Sequence, residues 1–405
     1  MPARRQNDKI IMYRKGNILA IDTGSTTTKV GYFSGGRLLF EDKIAHSAED
    51  IAGYKSVLEQ DGMRRKAITD FLDKKNIRLE DLDIIMSRGG LITPVVSGVY
   101  NVNEEMREVL LSCRFGTHAC NLSAVIADDL AKEVNEIKAR KGIMPQFGEC
   151  KAYIADPPLS DEMLPECRIG GLPEFPRQPC SHALNSKATV RHYLKEHGIR
   201  KNDVTIIVAH IGGGVTTTLH RSGKIIDTND GLGGDGPITP ERSGTCPAFP
   251  LIEMCFSGKY TESEVKKKVV GRGGAVAYFG TNDLGEVSRR GRDGDRQCEL
   301  FIKAFCLSIA KYIASMAATA EGKVDAIIIT GGGAYNEEVC RAIAARVKFI
   351  APVEVYPGEH ELESLAENGY KILAGEAVIH TYNKDRLVED SNEPGTIRPT
   401  RLVLA

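Results

Sequence analysis

Residues 18–41, ILAIDTGSTTTKVGYFSGGRLLFE, reappear in altered form at residues 205–228, TIIVAHIGGGVTTTLHRSGKIIDT. An offset of 188 sets Asp22, Gly24 and Gly35 over His210, Gly212 and Gly223. Each copy reads as an apolar strand, a glycine-bearing turn, a Thr-rich strand, a second glycine turn and a third apolar strand. Any two meanders rich in Val, Ile and Thr share some text. Three coincidences at one offset, each after an apolar run, favour a duplicated α/β domain.

Helical spacing over 62–75, 122–140, 183–198, 298–320 and 366–382 alternates with the strands, which predicts layered sheets covered by helices. A chain of 405 residues suggests roughly two to three domains and is ample for two full cores. A third glycine cluster, Gly331, Gly332 and Gly333, follows the strand at 324–330 and precedes a helix beginning near Asn336. Backbone at such a place can approach a flat or anionic ligand without side-chain obstruction.

Charge and cysteine usage narrow the function. Lysine and arginine number 53 against 54 acids, so the net charge of −1 gives no reason to expect a nucleic acid or a membrane surface as partner. Any bound anion must therefore meet a local cationic site. The ten cysteines are scattered, with no CxxC pair and no export signal, the pattern of a protein of the reducing cytoplasm. The basic start, MPARRQNDKIIMYRKGN, lacks an apolar core, and residues 1–16 read as a flexible extension. No apolar run approaches the length of a membrane span.

In DTGSTTTK the turn at Gly24, Ser25, Thr26 and Thr27 offers backbone N–H groups and hydroxyls to phosphate oxygens, and Lys29 adds a positive charge. Gly212, Gly213 and Gly214 form the matching turn in the second copy. The first turn joins two strands, and GxxxxGK[ST] is absent, so it is neither a Rossmann turn nor a Walker A loop.

Longer strings go further. SRGGLITPVVSGVY (87–100), THACNLSAVIA (117–127), DPPLSDEM (156–163), HALNSKA (182–188), GGDGPITPERSGT (233–245) and CFSGKYTESEVKKKVVGRGGAVAYFGTND (255–283) resemble the butyrate kinases of the acetokinase family. That family lies within the acetate and sugar kinase, heat-shock cognate and actin superfamily. The resemblance runs from about Ile18 to Tyr382. It implies an α/β fold of two duplicated actin-like (ribonuclease H-like) domains with ATP in a cleft between them. The first domain would be 17–154 plus 363–382, closed by a C-terminal helix; the second, 155–362, would hold nucleotide, and 383–405 would be a tail. It further implies reversible, magnesium-dependent transfer from ATP to a short aliphatic carboxylate, by direct in-line attack, and a homodimer.

Carried over residue by residue, Arg242 in PERSG and Arg88 in SRGG match the family's arginines, and His182 in HALN its phosphoryl-contacting histidine. Asp156 matches its aspartate, Glu361 in PGEHELESLA its magnesium-linked glutamate, and His118 a position near the acyl site. His210 lies at the second phosphate turn, and Asn282 and Asp283 of GTND, with Gly331 to Gly333, are assigned to adenine and ribose. His46, His192 and His220 read as surface residues.

Two departures stand out. Asp22 and Thr23 occupy places where butyrate kinases commonly carry Asn-Pro; an aspartate beside phosphates implies a part in the metal shell. Ser181 stands where a phenylalanine usually precedes the catalytic histidine, leaving room for a longer or branched acyl chain. The alternatives are a kinase for acetate, propionate, isobutyrate or isovalerate, an actin-like activator ATPase that switches a partner, and a catalytically weakened regulator of the same fold.

Overall fold

The computed structural model describes residues 16–200, 202 and 204–385; of the extension expected at 1–16 and the tail expected at 383–405, residues 1–15 and 386–405 lie outside them. The strands run β1 (Asn17–Thr23), β2 (Thr27–Ser34), β3 (Arg37–Ala45), β4 (Ile84–Ser87), β5 (Val99–Asn101), β6 (Lys151–Ala155), β7 (Thr205–Ile211), β8 (Val215–Arg221), β9 (Lys224–Thr228), β10 (Ala326–Gly331), β11 (Val353–Pro357) and β12 (Ile379–Thr381). Among the helices are α1 (Asp61–Lys74), α2 (Asn121–Lys141), α3 (Ala183–Glu196), α4 (Arg296–Thr319), α5 (Glu337–Val347) and α6 (Glu361–Leu373).

Two compact units result. Unit 1 holds 16–160 and 360–385, and unit 2 holds 161–359. The unit 1 sheet has the order β12-β5-β6-β4-β1-β2-β3, and the unit 2 sheet β11-β10-β7-β8-β9. In both, an antiparallel meander (β1-β2-β3, β7-β8-β9) continues through two parallel strands (β4-β6, β10-β11). This repeated five-strand order is the duplicated actin-like, ribonuclease H-like architecture that the sequence implies. Unit 1 adds β5, antiparallel to β6, and β12, parallel to β5.

The central strands are continuous apolar runs because both faces are covered. Ile18 to Ile21 in β1 and Ile206 to Ala209 in β7 are wholly buried. The edge strand β3 is mostly exposed, as its charged text RLLFEDKIA requires. Helix α4 buries Cys298, Phe301, Ile302, Phe305, Cys306, Ile309, Ala310, Ile313, Met316 and Ala317, three- and four-residue steps that make one apolar face against the unit 2 sheet. By length and composition alone α4 could cross a membrane, contrary to the expectation from sequence; half of its most apolar window is buried inside unit 2.

The repeat is real, but its offset changes midway. Between β1 and β2 the paired ends Thr23 and Thr28 enclose Gly24 to Thr27, whereas Ile211 and Val215 enclose Gly212 to Gly214. The second turn is one residue shorter, so the offset is 188 before it and 187 after. Consequently Gly36, not Gly35, is the counterpart of Gly223. Gly35–Gly36 and Ser222–Gly223 both have positive φ in two-residue hairpin turns, and the β-bulges at Tyr32/Phe33 and Leu219/His220 coincide at the new offset.

Each unit borrows a helix from beyond its own strands. Helix α3 follows β6 yet packs on β7 and β10, and α6 follows β11 yet packs on β1 and β4. Their N-termini reach the ends of the central strands, where the site residues lie. The expected helix at 366–382 is corrected: α6 begins at Glu361 and ends at Leu373, Gly375 follows at φ +68, and Ile379–Thr381 pairs with β5. Two surface assignments are also corrected. His46 is buried against Thr28 Oγ1 at 2.8 Å. His220 is buried with Nε2 2.9 Å from Thr218 Oγ1, and burial holds its imidazole well below the usual histidine range. His192 is exposed, as expected.

Candidate active site

In unit 1 four charged side chains converge at the ends of β1, β2 and β4 and the start of α6. Asp22 and Lys29 face each other across the β1–β2 ladder. Arg88 follows β4, its backbone N–H donating to Ile21 O. Lys29 Nζ lies 2.9 Å from Glu361 Oε2 and 3.3 Å from Asp22 Oδ2; Arg88 Nη1 lies 3.3 Å from Asp22 Oδ1 and 3.6 Å from Glu361 Oε1. Both carboxylates are almost completely buried and both cations partly exposed. Burial first, and then the charge of Glu361, push the Asp22 carboxyl above the usual aspartate range, against the opposing pull of Arg88 and Lys29. The 3.3 Å approach of Lys29 makes it an ion-pair neighbour of Oδ2, which has no hydrogen-bond partner among the described residues.

Gly24 to Thr27 form the first turn, closed by Gly24 N–H donating to Thr27 O at 2.8 Å. Thr23 anchors its base, donating from Oγ1 to Ala119 O at 2.7 Å and from its backbone N–H to Ser123 Oγ at 3.0 Å. His118 adjoins the turn, with Nε2 3.1 Å from Ser25 Oγ. Since Cys120 N–H donates to His118 Nδ1, neutral His118 carries its proton on Nε2 and donates to Ser25. Asn121 steadies the loop after Arg88 by accepting from Leu91 N–H and donating to Gly116 O.

Unit 2 has the same frame with different chemistry. The counterparts of Asp22, Lys29 and Arg88 are His210, Thr216 and Thr330. His182, just before α3, stacks on His210 with ring centroids 3.8 Å apart and planes 7° from parallel. His182 Nδ1 is 2.9 Å from Thr216 Oγ1, and the His182 side chain makes no cap to α3. Asn185 Nδ2 lies 2.8 Å from His210 Nδ1, while Glu359 Oε1 lies 3.7 Å from His210 Nε2. Arg242 Nη1 donates to Gly231 O, and Gly231 N–H donates to Cys180 O at 2.7 Å, which ties Arg242 to the Ser181–His182 segment. Thr239 holds the PERSG turn on the second glycine turn, donating from Oγ1 to Gly213 O at 2.8 Å and accepting from Arg242 N–H at 2.8 Å. A Cβ on Gly214 would meet the Arg242 guanidinium and displace it, so glycine there leaves room for that side chain. Ser181 is buried, and its Oγ has no hydrogen-bond partner among the described residues.

The remaining assigned residues fall nearby within their own units. Asp156, buried at φ +42, lies two positions beyond Ile154, the partner of Ser87 in the β4–β6 ladder, and so close to Arg88 along the sheet. In the third glycine cluster, Gly331 and Gly333 have no room for a Cβ because Ile211 fills it; Gly332 alone of the three faces open space. The Asp283 carboxylate caps the helix Leu284–Arg292 by accepting from Gly285 and Glu286 N–H, and Asn282 is exposed. That helix reaches the glycine cluster through Asn336 Nδ2 and Ser288 Oγ, 3.1 Å apart. Sequence reasoning missed Arg64, Gln60, Asn121, Asn185, Thr216, Thr330 and Glu359. Of these, Asn121, Asn185, Thr216 and Glu359 lie inside quoted strings and Thr330 ends the strand before the third glycine cluster; Gln60 and Arg64 lie outside all of them.

Among the described residues no three His, Cys, Asp or Glu side chains cluster as a metal cage. A magnesium ion needs less, since it keeps several waters and takes one or two carboxylates. Asp22, with a buried oxygen that no donor satisfies among the described residues, and Glu361 beside it supply hard oxygen ligands and fit that ion.

A family model described as the acetokinase family matches residues 179–370. Butyrate kinase 1 of Clostridium acetobutylicum is 44% identical over 371 residues, spanning 92% of this chain and 100% of that protein. Butyrate kinase 2 of the same organism is 42% identical over 368 residues, 91% of this chain and 99% of its own. Among solved structures, a propionate kinase from Francisella tularensis matches with a TM-score of 0.67 at 18% identity, covering 87% of this chain and 98% of that one. An acetate kinase from Porphyromonas gingivalis matches with a TM-score of 0.67 at 15% identity, covering 88% and 100%. At such identities the two structures show the fold.

Proposed function

The chain belongs to the acetokinase family, and we propose that it phosphorylates a short-chain carboxylate, butyrate or a branched acid of similar size, with ATP. The products are an acyl phosphate and ADP, and the reaction is reversible. A carboxylate oxygen forms a bond to the γ-phosphorus as the bond from that phosphorus to the β–γ bridging oxygen breaks, and ADP leaves with the electron pair. The observation that carries this reading is the duplicated frame with unlike chemistry: paired carboxylates with two cations in unit 1, stacked imidazoles with an arginine in unit 2.

Roles follow from charge. Both reactants are anions, so the transferring phosphoryl group needs donors that add positive charge without moving. We assign that work to Arg242, His182 and Arg88, with Asp156 orienting the groups around Arg88. The Thr216 hydroxyl beside His182 Nδ1 fixes the ring so that Nε2 points elsewhere as a donor. The turns at Gly24–Thr27 and Gly212–Gly214 take phosphate oxygens, Lys29 neutralises the carboxylates around them, and His210 holds the second turn. Asn282, Asp283 and Gly331 to Gly333 face adenine and ribose, Gly332 by its open backbone. When bound at Asp22 and Glu361, magnesium supplies charge neutralisation of the nucleotide phosphates.

The acid is selected near Ser181 and His118. Acyl phosphate formation, followed as hydroxamate across acids of two to five carbons, tests both activity and preference. The wild type is expected to favour four- and five-carbon acids over acetate. Ser181→Phe should cut kcat/KM for butyrate relative to acetate by about tenfold, since a methylene or two in an apolar pocket is worth that much. Equal kcat/KM for acetate and butyrate in the wild type defeats the preference; no product with any acid defeats the function.

We read the two compact units, 16–160 with 360–385 and 161–359, as the duplicated domains expected at 17–154 with 363–382 and 155–362, in a cytoplasmic enzyme consistent with its ten free cysteines. A homodimer is supported by the helix Ala248–Phe256, AFPLIEMCF, which buries no residue and exposes Phe249 at 79% and Phe256 at 87%. Sedimentation should give twice the mass of one chain, and Phe249→Ser with Phe256→Ser should give one; a monomeric wild type would remove this reading. The activator-ATPase alternative is not favoured, because the butyrate kinases match over nearly the whole chain.

A further inference from the structure

Behind the first phosphate turn sits a charge that the proposed reaction does not use. Arg64, on α1, is completely buried, yet its guanidinium makes no hydrogen bond to a carboxylate among those described. Its five N–H groups are all spent. Nε and Nη2 donate to Gln60 Oε1 at 3.1 and 2.9 Å, Nη2 also to Ser25 O at 3.1 Å, and Nη1 to Thr27 O at 3.1 Å and Thr28 Oγ1 at 3.3 Å. Three of the five bonds therefore end on the turn or its first strand residue. The carbonyl between those two, Thr26 O, accepts from His46 N–H at 2.8 Å.

Three consecutive carbonyls are thus each pinned by a protein donor. All peptide bonds here are trans, and in a trans peptide the N–H points opposite to the C=O of the same plane. Drawing Ser25 O toward Arg64 turns Thr26 N–H away from it, and fixing Thr26 O on His46 turns Thr27 N–H the other way from that bond. Ser25 and Thr26 are exposed and Thr27 is partly so, which puts this stretch at the solvent-facing rim of the unit. Burial lowers the Arg64 guanidinium to about 10, with Asp22 opposing, so it remains charged at neutral pH behind that rim.

We propose that Arg64 is a positioning residue that holds Ser25 to Thr27 in an anion-accepting shape, with Gln60 orienting its guanidinium, and that its buried charge favours phosphate there. The role rests on the reading of this turn as a phosphate site. Lysine keeps the charge but cannot serve Ser25 O, Thr27 O and Thr28 Oγ1 in one plane. Arg64→Lys is therefore expected to raise KM for ATP by about tenfold while KM for the carboxylate moves less than about twofold. Gln60→Met, a milder change, should shift the same constant in the same direction by a smaller factor.

Calorimetric titration with inorganic phosphate gives a readout independent of turnover. Affinity should fall in both variants as KM for ATP rises. If a folded Arg64→Lys keeps its KM for ATP and its phosphate affinity within about twofold, or if both KM values rise in proportion, the positioning role is wrong. Where Arg64→Lys does not fold, Gln60→Met decides, and an unchanged KM for ATP and phosphate affinity in that variant overturns the proposal. A wild type that binds phosphate in an Arg64-dependent way but phosphorylates no carboxylate would defeat the proposed function and leave this inference standing.

Discussion

Arg242→Ala is expected to lower kcat by roughly 10³-fold and to leave the fold intact. The side chain is only partly buried, and within unit 2 its guanidinium donates to a loop carbonyl, Gly231 O. What keeps the turn in place is backbone and Thr239: Arg242 N–H and Glu241 N–H both donate to Thr239 Oγ1, which itself donates to Gly213 O. Alanine retains all of these. The loss should therefore fall on the guanidinium's charge and its fork of donors, which act where negative charge spreads over the transferring phosphoryl group. Arg242→Lys should recover little, because an ammonium cannot reproduce a planar fork held over Gly214. Rates of acyl phosphate formation, with thermal unfolding as the control for folding, check this. A folded alanine variant at full rate would remove Arg242 from the active site.

How much of this was legible in the text differs by kind of residue. The meanders were readable because glycines and apolar runs report local backbone, and they placed Gly24, Gly212 and the Asp22/His210 correspondence correctly. The one-residue contraction at Gly212–Gly214 was not readable, since Gly35 and Gly36 are both glycines and either can be set over Gly223. His46 and His220 were misjudged for a related reason. A lone histidine in a strand or at its end has no period of its own, and its face depends on cross-strand neighbours such as Thr28 and Thr218. The end of α6 was overrun because the apolar residues of 374–382 belong to a short edge strand pairing with β5, a contact nearly three hundred residues away in sequence. Arg64 was invisible. Arg-Arg on an amphipathic helix reads as solvated charge, and Arg65, which pairs with Glu133 at the surface, fits that reading while its neighbour does not. Glu361 entered through resemblance; its contact with Lys29 spans 332 positions and needs the borrowed helix α6 to exist.

That contact sets the second large effect. Glu361→Gln should raise the Mg²⁺ concentration for half-maximal activity by more than about tenfold, and Asp22→Asn by about tenfold, with kcat at saturating metal reduced less. Each carboxylate must be ionised to take part, and the Asp22 carboxyl is held above the usual aspartate range by burial and by Glu361. A raised carboxyl pKa means that protons compete with the cation at a higher pH than at an ordinary aspartate. Apparent Mg²⁺ affinity in the wild type should then fall as pH is lowered, beginning above the range of an ordinary aspartate, and Asp22→Asn, with nothing to protonate there, should flatten that dependence. The two substitutions should also fail to add. Removing either carboxylate relieves the repulsion on the other and leaves Lys29 and Arg88 to pair with what remains, so the double variant should lose less than the product of the single losses. Full Mg²⁺ affinity in Asp22→Asn, with an unaltered pH dependence, would place the ion elsewhere and leave Asp22 as a partner of Arg88 and Lys29 alone.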